Sequence, residues 1–173
     1  MKLKKKKIVG AFIIFGLTFL FHFLYDWFPN TFFSLFFPVN ESIWEHMKLL
    51  FTPFILYTTI EWLISKNKSN NLMLQLFLIP VISVVFYLVI YLPIFNIIGE
   101  NMAVSIILLF IIVCFEQIIS YFLGISKPIK NEKIIGMLGL IITFLLFIYF
   151  TYYPPKTLLF HDMKDNYYGI KNN

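Results

Sequence analysis

Five long apolar runs, separated by short polar breaks, set the pattern of this chain. Residues 8–28, 43–64, 72–95, 102–123 and 134–153 are each close to or above the ~20 residues that a helix needs to cross the hydrocarbon core of a bilayer. Runs of that length predict helices, because strands end after far fewer residues. A sixth apolar stretch, residues 31–39, is too short to cross and is expected to lie in the outer interface as a loop, a short helix or a re-entrant piece. Pro53 and Pro80 fall inside the second and third runs and predict bends. Pro93 is expected to close the third, and Pro154-Pro155 to stop the fifth. The start of the second run carries its own signal: Asn40 or Ser42 can cap the helix, and Ser42-x-x-Glu45 has the spacing of a capping box.

The predicted fold is therefore all-α, a polytopic membrane helix bundle of about five transmembrane helices. It forms one integral-membrane domain over residues 1–173, with a tail over residues 154–173. Composition sharpens this. Sixty per cent of the residues are hydrophobic and mean hydropathy is +0.81, more apolar surface than a soluble domain this small can bury. The net charge of +5 does not signal nucleic acid, because the 14 basic residues, all lysine, gather at span ends rather than in a patch. Ten of them fall on one side of the five-span scheme (Lys2, Lys4 to Lys7, Lys66, Lys68, Lys127, Lys130 and Lys133). Three (Lys156, Lys164 and Lys171) fall on the other, and Lys48 lies just inside a span. The positive-inside rule then predicts the N-terminus in and the C-terminus out, as a multi-pass protein of a bacterial cytoplasmic membrane. The lysine-rich start lacks a small-residue cleavage site, so an uncleaved first span is expected. Cys114 is the single cysteine and has no partner for an intrachain disulfide.

Topology gathers the polar residues. All three histidines, His22, His46 and His161, fall near the outer face, together with Asp26, Asn40, Glu41, Glu45, Glu100, Asp162 and Asp165. His22 lies about 9 Å below the outer end of its span. At that depth an ionisable residue usually faces a partner, and Asp26, one turn away, is the expected one. Imidazoles with a carboxylate are a ligand set for Zn2+ or another divalent metal. His22, His46, His161 and Asp26 are the expected ligands, and Glu45 or Glu41 the acid/base. A helix start that simply wants acids and caps accounts for much of the same stretch. On the inner side, Glu61 and Glu116 are acids within spans, a pattern of proton or cation routes as well as of buried carboxyls bonded to a neighbouring helix.

The residues His22-x-x-Tyr25, Pro38-Val39-Asn40-Glu41-Ser42-x-Trp44-Glu45-His46, Pro154-Pro155, Leu159-Phe160 and Tyr168-Gly169-Ile170 are similar to a family of small bacterial polytopic membrane proteins. That family is known as a domain of unknown function. The resemblance spans nearly the whole chain and implies topology and a site location, not a reaction. Ser42-x3-His46 also resembles one half of the zinc site of membrane hydrolases that include alkaline ceramidases. Their second half is His-x3-His, where this chain has His161-x3-Asp165, and their span count is seven rather than five. Three readings follow. The first is a metal-dependent hydrolase of a lipid or lipid-linked substrate, with Ser42 joining the catalytic set. The second is a proton- or cation-coupled transport or binding protein using Glu61 and Glu116. The third is a non-catalytic accessory subunit.

Overall fold

The computed structural model describes residues 3–171. The apolar runs form α1 (Leu3–Trp27), α4 (Lys48–Ile64), α5 (Leu72–Ile98), α6 (Met102–Ile125) and α7 (Glu132–Tyr152). Between α1 and α4 lie two short helices, α2 (Thr31–Phe36) and α3 (Ile43–His46). After α7 come a 3-10 turn (Leu158–Phe160) and an antiparallel pair, β1 (His161–Asp162) and β2 (Tyr167–Tyr168), with His161 opposite Tyr168. With α3 and α4 taken as one span, Ile43–Ile64, five helices among the described residues are long and apolar enough to cross a membrane. The protein is a helical membrane bundle.

Side-chain bonds fix which helix ends lie together. At one end the Lys7 ammonium sits 2.6 Å from the Glu61 carboxylate, and the Tyr57 hydroxyl donates to the Lys6 carbonyl. Asn71 at the start of α5 accepts from the Ile129 N–H in the α6–α7 connection. At the other end, α1 finishes beside α3. The odd number of spans therefore leaves the described termini at opposite ends. Lys2 and residues 172–173, which the lysine count and the tail include, lie outside the described residues. Between the ends Ile14, Leu50, Phe54, Ile79 and Val113 are fully buried, and so are the polar Ser83, Glu116 and Ser120. The α5–α7 contact depends on Gly136, where a Cβ would strike the Met73 backbone.

Three local expectations are corrected. Helix α5 does not close at Pro93. Proline's fixed φ suits a helix and costs one hydrogen bond, so the helix runs on to Ile98. It ends at Gly99, which takes φ 73° and donates its N–H to the Phe95 carbonyl. The second run is not one continuous helix: it is interrupted at Met47, where Met47 donates to Trp44 and Leu50 to Met47 in tight three-residue steps, and Pro53 lies inside α4. The lysines before residue 8 are helical from Leu3 onward.

Candidate metal centre

The stretch before α4 is ordered by its own polar side chains. Asn40 Oδ1 accepts from the Ser42 N–H (2.9 Å), closing an Asx turn. Ser42 Oγ then accepts from the Glu45 N–H (3.3 Å) and caps α3. That is half of the expected capping box. The other half fails because the Glu45 carboxylate turns inward, to the Lys48 ammonium (2.6 Å), the Thr151 hydroxyl (2.7 Å) and the Val39 N–H (3.1 Å). Lys48 also donates to the carbonyls of Ser34 and Phe37, placing its charge at the C-terminal end of α2. Glu45 and Lys48 are each 1 % exposed. This buried pair ties α2, α3 and α7 together, and it leaves Glu45 no free oxygen for acid/base work. Trp44 packs among the rings of Phe147, Phe150 and Phe160, 5.0–5.2 Å away.

Successive residues on a helix point about 100° apart, so His46 faces elsewhere than Glu45. It faces α1. His46 Nε2 lies 3.0 Å from His22 Nε2 and 3.4 Å from Glu41 Oε2, and His22 Nε2 lies 3.5 Å from the same oxygen. A backbone carbonyl can only accept, so the 2.8 Å contact of His46 Nδ1 with the Ser42 carbonyl puts the proton on Nδ1 and the lone pair on Nε2, toward the cluster. His22 Nδ1 is buried without a partner among the described residues, so its proton is placed by whatever Nε2 meets. Without an ion, and with protons on their Nε2 atoms, His22 and His46 hydrogen-bond the Glu41 carboxyl and hold it well below the usual carboxylate range, against the opposing effect of partial burial.

The donor set fits a metal. Donor atoms 2.0–2.1 Å from a tetrahedral zinc stand about 3.3 Å apart, and the three separations here are 3.0, 3.4 and 3.5 Å. These are the ligand atoms of the group His22, Glu41 and His46 that could hold an ion.

The tail completes the site. Asp162, 1 % exposed, accepts the Glu41 N–H on Oδ2 (2.9 Å) and the N–H groups of Lys164 and Asp165 on Oδ1. Asn40 Nδ2 donates to the Gly169 carbonyl. The tail thus folds back over Asn40 to His46, and Asp162 positions Glu41 through its backbone.

Two expected ligands stand apart from this group. Asp26 is exposed at the end of α1. His161 lines the same cavity as the group but pairs with Asn166 Oδ1 (3.0 Å), its ring tilted against Tyr168. Asp165 meets Lys171 (2.9 Å), and the Ser42 hydroxyl serves the cap while its carbonyl meets His46. Glu61 is held by Lys7 at the far end. Glu116 is fully buried, with neither carboxyl oxygen hydrogen-bonded among the described residues. Two polar residues without an assigned role in the sequence reading, Glu100 and Lys164, stand with the cluster at the mouth of one cavity.

That cavity has a volume of about 570 Å³ and descends between α1, α4, α5 and α6. Its mouth holds His22, Glu41, His46, Glu100 and Lys164, and its deeper wall includes Leu50, Tyr87 and Leu109. Such a size and a mostly apolar lining with a few convergent polar groups are those of small-molecule sites.

A family model described as a family of unknown function (DUF6512) matches residues 1–170. No curated protein and no solved structure matches the chain.

Proposed function

This chain belongs to the DUF6512 family, a family of unknown function, and we propose that His22, Glu41 and His46 hold one divalent metal ion, zinc foremost. The site they form hydrolyses a lipid or lipid-linked substrate seated in the adjoining cavity. The observation that carries this reading is the mutual spacing of the three donor atoms, 3.0 to 3.5 Å. Two histidines and a glutamate form a ligand set of catalytic zinc that keeps a fourth position open. Such an ion supplies Lewis acidity and a nucleophile available near neutral pH. The chain's own groups do the rest. The Ser42 carbonyl fixes the His46 ring, Asp162 fixes the Glu41 backbone, and Glu100, a carboxylate at the mouth outside the ligand set, serves as the proton carrier.

The test is metal content after purification in mild detergent and incubation with zinc. About one zinc per chain is expected. It should be lost from His46→Ala and Glu41→Ala and kept in His161→Ala and Asp26→Ala. A metal-free wild-type protein overturns the reading.

A second reading draws on Glu116, whose buried, unpartnered carboxyl is the kind of residue found on ion routes. It requires cation or proton flux in liposomes that is lost in Glu116→Gln. Undiminished flux in that variant removes it.

A further inference from the structure

The cavity runs deeper than a metal site requires. From Phe95 to Tyr87 along α5 it spans eight residues, and from Met102 to Leu109 along α6 seven, a depth of about 10–12 Å at helical rise. That is most of the ~15 Å of hydrocarbon in one leaflet of a bilayer core. Phe19 and Phe23 of α1 and Met102 of α6 line the cavity and are also exposed, so it opens sideways between α1 and α6. At the level of these helix ends, a sideways opening faces lipid.

The mouth has a charge pattern of its own. Glu41 and Glu100 against Lys164 leave one net negative charge with neutral imidazoles, and a divalent ion turns this into one net positive charge. The loaded mouth therefore favours an anion, and Lys164, 3.9 Å from Glu41 and largely exposed, can turn toward one.

We infer that the cavity takes a single-chain amphiphile with an anionic head, such as an alkyl phosphate. It enters sideways from the leaflet, with its chain along Tyr87 and Leu109 and its head at the metal group and Lys164. The cavity is about as deep as one short alkyl chain is long, and burial of each methylene favours entry. This rests on the metal reading for the head and on the cavity walls for the chain.

The experiment is native mass spectrometry of zinc-loaded protein titrated with dodecyl phosphate, inorganic phosphate and a two-chain phosphatidate. Metal content is read on the same samples. One dodecyl phosphate per chain is expected, bound at least tenfold more tightly than either competitor. Leu109→Trp, which fills the cavity, should weaken dodecyl phosphate at least tenfold and leave inorganic phosphate and zinc unchanged. Lys164→Ala should weaken both phosphates severalfold. Ile106→Trp, nearer the mouth, serves if Leu109→Trp does not fold.

Full dodecyl phosphate binding in a folded, zinc-loaded tryptophan variant overturns the chain site. Inorganic phosphate bound as tightly as dodecyl phosphate shows that only the head is recognised and overturns it too, and tighter binding of the phosphatidate overturns the single-chain assignment. Wild-type protein without zinc defeats the metal reading and the head assignment with it, whatever the chain does.

Discussion

At the scale of single residues, Glu41 and Glu45 divide the labour that their shared chemistry leaves open. Glu45 is a buried partner of Lys48, and removing one member of such a pair strands the other charge, at a cost of about 3–5 kcal/mol. Glu45→Ala should therefore lower stability by that order in a denaturant titration. Lys48→Met on top of it should restore most of the loss, and the folded fraction should still bind zinc. Glu41 behaves otherwise. Its carboxyl is held below its unfolded value, so its stabilising contribution is complete above the ordinary range near pH 4.3 and lost only as pH falls through the folded value. Between pH 8 and 5 it stays ionised. Protons then compete with the ion at the imidazoles instead, and zinc affinity should fall as pH is lowered. Zinc occupancy measured beside the thermal midpoint should show release before unfolding; unfolding that precedes release would contradict this assignment.

At the scale of elements, the short helix α3 is held from three sides: by its Ser42 cap, by the Glu45–Lys48 pair and by the tail. Asp162→Ala removes the acceptor of the Glu41 N–H. Loss of a group that orients a ligand typically weakens metal binding 10- to 100-fold, so zinc affinity should fall by that much while helical content by circular dichroism stays intact. An unchanged affinity would mean that the tail does not position Glu41. The spans were legible in the sequence because an apolar run of that length has few other fates. The partners of the polar residues were not. Glu45, three residues before Lys48, was visible as an ordinary cap residue, but what draws it inward is Thr151, 106 positions away. Asp26 lies one turn from His22, yet helix α3 brings Glu41 closer. His161 reads as a ligand on one side of the membrane until β1 pairs with β2 and turns it to Asn166.

At the scale of the whole molecule, the charge ledger and the bundle make one joint prediction about sidedness. In a Cys114→Ser background, Lys171→Cys should react with a membrane-impermeant maleimide on intact cells, and Lys4→Cys only after permeabilisation; the reverse pattern would invert the bundle. The clasp between Asp162 and Glu41 joins positions 121 residues apart, and it also orders events in time. A chain leaving the ribosome delivers His22, Glu41 and His46 early, but the acceptor that fixes Glu41 arrives only after the last span has been made. The site is thus finished only once the segment after α7 has been made, and a product truncated before Asp162 carries the candidate ligands without the clasp that sets Glu41. On the metal reading, ion capture becomes a late step in biogenesis, one that follows the making of α7.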